Sequence, residues 1–184
     1  IELVDQNLSV TVTDENDQPA NLDALVALNV MENQSTGSFA GEFNATDQDA
    51  NAILSYSLVR GQGDAGNGFF SLESNGTLRT AEVLNYESSA TRSIRVRVTD
   101  NRGAWTEAAF IVNIGDVNDP PENLIKVSDL NVSENQPVGS LVGNFNASDQ
   151  DANATLTYEL VSGTGDSGND FFILEINGTL KTAT

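Results

Sequence analysis

The sequence predicts an all-β protein made of tandem Greek-key sandwiches, and three observations predict it. Apolar and polar residues alternate over short segments, most clearly at 54–58 and 93–99, which is the pattern of half-buried strands. Turn-forming strings such as GQGDAGNG, SNGT and DNRG recur at close intervals, and no helical apolar stripe of useful length occurs. The sequence also repeats itself. About seven short strands in about 100 residues are typical of such a sandwich.

The internal repeat has an offset of 102 residues and contains no gap. Residues 14–82 and 116–184 are identical at 43 of 69 aligned positions. Chance would give only a few identities, so the two stretches are a tandem duplication. The acidic string DENDQP at 14–19 and its counterpart DVNDPP at 116–121 are therefore predicted to be junctions between repeats.

The duplication predicts five segments along the chain. Residues 1–13, where Leu8, Val10 and Val12 alternate with polar residues, resemble the C-terminal strand of a preceding repeat. The other segments are a junction at 14–19, a complete repeat at 20–115, a cation-binding linker at 116–121 and a second, truncated repeat at 122–184. We expect the chain to be a piece of a longer array.

Composition excludes several classes of function. The chain has 8 basic and 27 acidic residues and a net charge of -19, which argues against nucleic acid and anionic membrane partners. It favours cation binding, or solubility alone. The lack of Cys and His excludes thiol nucleophiles, Cys/His zinc sites and serine triads. No segment approaches 18 apolar residues, so we expect no direct membrane insertion. Because these catalytic groups are lacking, we also expect that the chain is not an enzyme.

Short carboxylate motifs recur at the ends of the predicted strands. They are MEN at 31–33 with its counterpart SEN at 133–135, DQD at 47–49 and 149–151, LNYE at 84–87, and the two junctions. Loops at one end of a sandwich can converge, and converging carboxylates repel one another by about 1 kcal/mol per pair at 4 Å in water. A divalent cation with oxygen ligands removes this repulsion. Ca²⁺ tolerates flexible geometry better than Mg²⁺ and is the better match.

Three other carboxylate arrangements fit the spacing less well. An EF-hand loop starting at Asp149 needs Gly at its sixth position and Glu at its twelfth, where the sequence has Ala154 and Leu160. The GQGDAGNG string resembles a β-helix calcium repeat, but it occurs once per 102 residues and cannot stack. Paired carboxylates such as Asp47 and Asp49 could serve a glycosidase, but no second Asp or Glu stands in an apolar or aromatic context of the sequence that would raise the pKa of a general acid.

In order and spacing, these motifs resemble the cadherin repeat. The resemblance rests on Glu-Asn before a strand, Asp-X-Asp, Leu-X-X-Glu, the Asp-X-Asn-Asp-X-Pro junction and the string FFSLESNGTLRT. It covers nearly the whole chain. It implies seven-stranded, immunoglobulin-like sandwiches joined end to end, with up to three calcium ions at each junction. The high Asn, Asp and Thr content and the lack of Cys predict a bacterial-type array.

The resemblance also implies which residues would bind the ions. At the central junction they would be Glu32, Glu87, Asp116, the Val117 carbonyl, Asn118, Asp119, the Pro120 carbonyl, Asp149, Asp151 and a carbonyl near Asn153. At the N-terminal junction they would be Asp14, Asn16, Asp17, Asp47, Asp49 and Asp100.

Departures from the family pattern modify this expectation. The family often has Asp where Asn85 stands, so we expect the outermost ion site to be weakened. The second repeat ends before a counterpart of Asp100, and the N-terminal junction lacks two glutamates of a preceding repeat. We expect the central junction to be the better occupied, or the two to be comparable if neighbouring molecules contribute.

The function predicted from these features is a calcium-dependent structural or adhesive segment of a secreted or cell-surface adhesin. Its partners would be calcium ions, other adhesin molecules, or cell-surface polysaccharide. The alternative is a carbohydrate-binding module, which needs an exposed aromatic platform. Trp105, Tyr86 and Tyr56 are the candidate aromatics, and the alternation around Tyr56 predicts that it lies in the core. Adhesion by strand swapping is not supported, since Trp105 is not near the start of a repeat.

Overall fold

The structure, a computed structural model, describes residues 7–183 and divides into two compact units. Unit 1 ends at Val117 and unit 2 begins at Asn118, so the division falls within the predicted linker at 116–121. All regular structure is β-strand apart from one short 3₁₀ helix in each unit. The predicted all-β fold class is therefore confirmed.

Unit 1 is a sandwich of two four-stranded sheets. Its strands are β1 (Ala20–Ala24), β2 (Asn29–Met31), β3 (Phe39–Thr46), β4 (Ser55–Leu58), β5 (Phe70–Leu72), β6 (Thr77–Thr80), β7 (Thr91–Thr99) and β8 (Trp105–Gly115), with a 3₁₀ helix at Asn67–Phe69. One sheet has the order β1-β3-β6-β5 and the other β2-β8-β7-β4. The predicted seven strands become eight because the first is divided between the sheets: β1 pairs antiparallel with β3, and β2 pairs parallel with β8.

The division of the first strand coincides with a close contact between the two sheets. Leu28, between β1 and β2, is 5% exposed, and a Cβ on Gly41 of β3 would overlap its Cδ2 atom. Only glycine leaves room for this side chain. The first strand can therefore cross from one sheet to the other at this point.

Alternating residues of both sheets fill the core of unit 1. Ile94, Val96 and Val98 of β7 are each 0% exposed, as the sequence pattern predicts. Full burial of such a side chain contributes about 1.5–3 kcal/mol. The Phe43 and Phe110 rings meet across the sheets with centroids 4.8 Å apart. Tyr56 is 8% exposed, which confirms its predicted place in the core.

The NGT strings form hairpin turns in both units. In unit 1 the turn joins β5 to β6, and the Asn75 side chain accepts the backbone N–H of Thr77 at 3.0 Å. Gly76 has φ 96°, and a Cβ there would lie 2.5 Å from the Phe43 carbonyl oxygen. Gly178 repeats this geometry beside Phe145. The turn therefore requires glycine both for its backbone angle and for its close approach to the neighbouring strand.

Unit 2 contains one four-stranded sheet. Its strands are β9 (Glu122–Lys126), β10 (Leu141–Ser148), β11 (Phe172–Leu174) and β12 (Thr179–Thr182), with a 3₁₀ helix at Asp166–Phe171. The order β11-β12-β10-β9 matches β5-β6-β3-β1 of unit 1. The counterparts of β2 and β4, at 131–133 and 157–160, form no strand. Their partners in unit 1 are β8 and β7, which have no counterpart among residues 118–183.

An apolar groove of about 520 Å³ opens on this sheet of unit 2. Its apolar lining includes Leu124, Phe145, Leu156, Tyr158 and Leu160. The equivalent residues of unit 1 belong to its core or pack against it. The groove therefore lies where β7 and β8 would cover the sheet.

The predicted N-terminal strand is absent from the described part of residues 1–13. Residues 7–13 form no strand, and Leu8, Val10 and Val12 are 86%, 86% and 90% exposed. Residues 1–6 lie outside the described range. A strand forms only against a neighbouring strand, and residues 7–13 have none within 7–183. The assignment of this segment to a preceding repeat stays a prediction.

No helix within residues 7–183 has the length and apolar character needed to cross a membrane.

Candidate metal centres

Two acidic clusters lie in unit 1, and each has carboxylate oxygens within 4.8 Å of one another. The N-terminal cluster consists of Asp47, Asp49 and Asp100, and the C-terminal cluster of Glu32, Glu87 and Asp116. All six residues are among the predicted ligands. At separations of about 4 Å, like charges repel by about 1 kcal/mol per pair in water and about 4 kcal/mol near a protein surface. Both clusters therefore favour a cation among their oxygens.

The C-terminal cluster is built by the parallel pairing of β2 with β8. Met31 pairs with Gly115 at the end of this ladder, so the next residues, Glu32 and Asp116, emerge together. The backbone N–H of Glu32 donates to the Gly115 carbonyl at 2.9 Å. Glu87 belongs to the loop between β6 and β7. The register of one short strand thus determines where Glu32 lies.

Glu32 is fully buried, with 0% of its surface exposed. Its Oε1 accepts the backbone N–H of Val117 at 2.9 Å, and its Oε2 accepts that of Tyr86 at 2.6 Å. Burial of an ionised carboxylate is costly unless charge and hydrogen bonds compensate. Two neutral N–H groups supply the hydrogen bonds but no positive charge, whereas a bound cation would supply the charge.

The N-terminal cluster lies at the ends of β3 and β7. Asp49 and Asp100 are 9% and 7% exposed. Asp49 Oδ2 accepts the N–H of Asp17 at 2.9 Å, and Asp47 Oδ1 accepts that of Asp49 at 2.9 Å. Oδ2 of Asp47 is buried and accepts no hydrogen bond from the described residues. A buried oxygen of this kind is a suitable ligand for a hard cation.

Asp100 is held by four donors. Its Oδ1 accepts the N–H groups of Arg102, Gly103 and Ala104 at 2.8, 2.5 and 2.9 Å, and its Oδ2 accepts the Asn16 side-chain amide at 2.9 Å. Burial raises the pKa of Asp100. The hydrogen bonds from Asn16 and the three backbone N–H groups together outweigh burial and hold the pKa below its ordinary value. Asp100 therefore stays ionised at neutral pH.

In unit 2 the linker binds the DQD motif at 149–151 through the same kind of hydrogen bonds that join the N-terminal junction to Asp47 and Asp49 in unit 1. Asp151 Oδ2 accepts the N–H of Asp119 at 2.7 Å, and Asp149 Oδ1 accepts that of Asp151 at 3.0 Å. The Asn118 amide donates to the Asp119 carbonyl at 2.8 Å. Asn16, Asp17, Asp47 and Asp49 make the same three contacts in unit 1. Asp119 is 8% exposed, so the linker is held against the DQD motif at this residue.

The other predicted ligands are more exposed. Asp14, Val117, Pro120 and Asn153 lie at the surface of their units. Asn153 has φ 67°, in the left-handed region that asparagine tolerates, and its counterpart Asn51 has φ 64°. The loop that carries the predicted carbonyl ligand therefore has the same backbone turn in both units.

The sequence did not identify Arg102 as part of the N-terminal cluster. Its Nη1 lies 3.3 Å from Asp49 Oδ1. A signal was present, because Arg102 is the only basic residue within two positions of any predicted ligand. The backbone N–H donors of Asp17, Tyr86 and Val117 carried no such signal, since every residue type except proline supplies one.

The three candidate aromatics of unit 1 do not form a shared platform for sugar stacking. Trp105, 47% exposed, begins β8, and the Arg97 guanidinium lies 4.3 Å from the centre of its ring. One face of this ring is therefore covered. Tyr56 is in the core, and Tyr86 is partly buried against it.

Comparison with known proteins gives one family. Residues 26–114 match the model of the cadherin domain. Human protocadherin Fat 4 is 32% identical over 181 residues, which are 96% of this chain but 4% of that protein. A structure of human protocadherin-24 EC1-2 superposes with a TM-score of 0.66 at 25% identity, covering 92% of this chain and 80% of the other.

A structure of protocadherin gamma B7 extracellular cadherin domains 1-4 superposes with a TM-score of 0.60 at 26% identity, covering 91% of this chain and 41% of the other. The chain spans only a small part of the curated relatives that it matches, 4% of Fat 4 and 24% of mouse cadherin-24. A bacterial origin stays a prediction. The family resemblance, in contrast, is confirmed: the chain belongs to the cadherin family.

Proposed function

We propose that this chain is a calcium-dependent structural and adhesive segment of a secreted or cell-surface adhesin, in which calcium stiffens the junctions between repeats. A cadherin domain implies an extracellular, adhesion-type function, and membership of this family fits a protein that is not an enzyme. The match to extracellular cadherin domains supports the location. The net charge of -19 supports a cationic ligand.

Glu32 is the observation that carries the proposal. A carboxylate that is 0% exposed and held by two backbone N–H groups is fixed in position before any ion binds. Two further carboxylates, of Glu87 and Asp116, approach within 4.8 Å. A ligand that is already fixed, as Glu32 is, loses little conformational entropy on binding, and the oxygen donors of this cluster suit a cation that takes six to eight oxygens.

The linker supplies the connection between the repeats in this proposal. Asp116 follows β8 of unit 1, and Asp119, three residues later, is anchored to Asp151 of unit 2. Three residues span at most about 10 Å. Ions shared by Glu32, Glu87 and the linker on one side, and by Asp149, Asp151 and a carbonyl near Asn153 on the other, would restrict the hinge between the units. Homophilic contact with a second adhesin molecule is the proposed partner interaction.

Thermal unfolding in calcium and in EDTA tests the proposal. One ion at 100 times its dissociation constant adds about 2.7 kcal/mol to the folded state, which raises the melting temperature of a domain of this size by about 10 °C or more. Glu32→Gln should remove most of this calcium-dependent increment, because it deletes the fixed carboxylate. Small-angle scattering should show a shorter average length in EDTA, because the hinge is released.

The matched control is Glu134→Gln. Glu134 is the counterpart of Glu32 in the same Glu-Asn-Gln string of unit 2, where it is exposed. This variant should keep the full calcium increment. Equal melting temperatures of the unsubstituted chain in calcium and in EDTA would contradict the proposal.

A further inference from the structure

We propose that Arg102 is an internal counter-ion that competes with calcium for the N-terminal cluster and so sets the cation affinity of that cluster. The inference rests on the proposed function, since it assumes that Asp47, Asp49 and Asp100 bind a divalent cation. It goes beyond that function by assigning a role to a residue that is not a ligand.

The geometry places the guanidinium on one of the oxygens that a cation would use. Arg102 Nη1 lies 3.3 Å from Asp49 Oδ1, and the Asp49 side chain is 3% exposed. The other oxygen of Asp49 already accepts the N–H of Asp17. Oδ1 pairs with Arg102, so a cation that approaches this oxygen competes with the guanidinium. An ion bound there displaces the arginine from this oxygen.

Two other features of Arg102 suit it to this role. Its backbone N–H donates to Asp100 Oδ1 at 2.8 Å, within the turn that connects β7 to β8. The backbone is therefore tied to the cluster even when the guanidinium leaves. The side chain is 48% exposed, so the guanidinium can turn into solvent while the stem stays beside the protein. The residue can thus alternate between pairing with Asp49 and lying free in water.

Arginine is suited to this role because it cannot lose its charge at physiological pH. It compensates part of the repulsion in the cation-free cluster, and it opposes a cation that approaches the same oxygen. Both effects lower the apparent affinity for calcium. An ion pair with one exposed partner accounts for a change of about two- to fivefold in the binding constant.

Arg102→Gln tests the inference, and Trp105 reports the binding. Trp105 is the only tryptophan, and it follows Ala104, whose N–H is bound to Asp100. The C-terminal cluster is at the opposite end of the 11-residue β8, roughly 30 Å away at about 3.4 Å per residue. Terbium luminescence excited through tryptophan therefore reports the N-terminal cluster, and calcium competing with terbium gives the calcium affinity.

The expected result is that Arg102→Gln binds terbium and calcium about two- to fivefold more tightly than the unsubstituted chain. The variant should also melt at a lower temperature in EDTA and at the same temperature in saturating calcium. The control is Arg79→Gln, which deletes the same charge from β6. Arg79 pairs with Glu73 at 2.7 Å and belongs to neither cluster, so this variant should bind both ions unchanged.

The outcomes separate the inference from the proposed function. Equal or weaker binding by Arg102→Gln, with calcium bound by the unsubstituted chain, overturns the role of Arg102 and leaves the proposed function intact. Binding by the variant but not by the unsubstituted chain supports the role of Arg102 and removes this cluster from the proposed function. Failure of both proteins to bind either ion at this cluster overturns the role of Arg102 and removes the cluster from the proposed function, which the calcium-dependent melting of the unsubstituted chain and of Glu32→Gln tests separately.

Discussion

The two units have largely the same sequence, yet they bury it differently. Leu28 is 5% exposed in unit 1 and its counterpart Leu130 is 39% exposed in unit 2, while Val30 and Val132 are 6% and 38% exposed. The segment at 131–133 retains Asn and Val of β2 but forms no strand. Strand formation in these segments therefore depends on the neighbouring strand more than on the residues themselves.

Short-range features behave in the opposite way. Asn33 and Asn135 have φ 58° and 62°, and both NGT turns have the same hydrogen bonds. The Asx contacts of the DQD motif also agree between the units. Contacts within a few residues thus form in both copies, whereas contacts with β7 and β8 exist in one copy alone.

Adding counterparts of β7 and β8 to unit 2 should give the largest change in its burial. In an extended chain in which residues 83–116 are repeated after Thr184, the added strands continue the 102-residue period without interruption. We expect the groove to close and a strand to form at 157–160. Asn169 is oriented for this, since its side chain donates to Val161 as Asn67 does to Val59, and Asn67 also accepts the N–H of Arg95. Hydrogen exchange at 157–160 should slow by orders of magnitude.

The control for the extended chain carries Val96→Asp in the added copy only. A charge at this position, which is 0% exposed in unit 1, should prevent docking of the added strands. Equal protection of 157–160 in the extended chain and its control would contradict the explanation from missing partner strands.

A matched pair of core substitutions should give the next largest difference. Leu28→Ala removes a buried side chain and should destabilise unit 1 by about 2–5 kcal/mol. Leu130→Ala should destabilise unit 2 by about 1 kcal/mol or less, because Leu130 is already 39% exposed. Urea unfolding followed by residue-resolved NMR measures the two units separately. Equal losses would show that the exposure difference does not persist in solution.

The smallest effect concerns an ion-pair network on β7 and β8. Glu107 accepts Arg97 Nε at 2.7 Å and Arg95 Nε at 2.8 Å. The hydrogen bond from Arg97 holds the pKa of Glu107 below its ordinary value of 4.5, against an opposing effect of burial and with help from Arg95. A lowered pKa stabilises the fold above pH 4.5, and this contribution is lost as the pH falls through the pKa of the folded state.

Glu107→Gln should therefore lower the melting temperature of unit 1 by a few degrees at neutral pH, and the difference from the unsubstituted chain should vanish in acid. The comparison is Glu73→Gln, which breaks an ion pair whose side chains are 40% and 48% exposed and should change little. A difference for Glu107→Gln that persists unchanged below pH 4 would contradict the assigned role of its charge.

Much of the fold followed from the sequence because alternation and turn residues act locally. The pattern at 93–99 predicted β7, and the flanking residues of Tyr56 predicted its burial. The division of the first strand could not be predicted, because it depends on Leu28 meeting Gly41 of another strand. The lack of a strand at 157–160 could not be predicted either, since the residues there have the same pattern as those of β4.

The candidate site was predicted by residue type but not by environment. Motif spacing selected Glu32, Asp49 and Asp100. It gave no indication that Glu32 is fully buried, or that its two oxygens accept backbone N–H groups of Val117 in the linker and of Tyr86 in the loop between β6 and β7. Arg102 was missed because the search for cation ligands considered acidic residues and oxygen donors, and a basic residue is not expected beside such ligands.

The parallel pairing of β2 with β8 gives the domain a mechanical property. Tension that pulls the chain apart at residues before β2 and after β8 loads the hydrogen bonds of this ladder in shear, so they must break together. Glu32 adds two hydrogen bonds beyond the last residue pair of the ladder. Its backbone N–H donates to the Gly115 carbonyl, and its carboxylate accepts the N–H of Val117. An ion held by Glu32 and Asp116 would add a further link between the two strands at the end of the ladder, where tension on the linker reaches the domain.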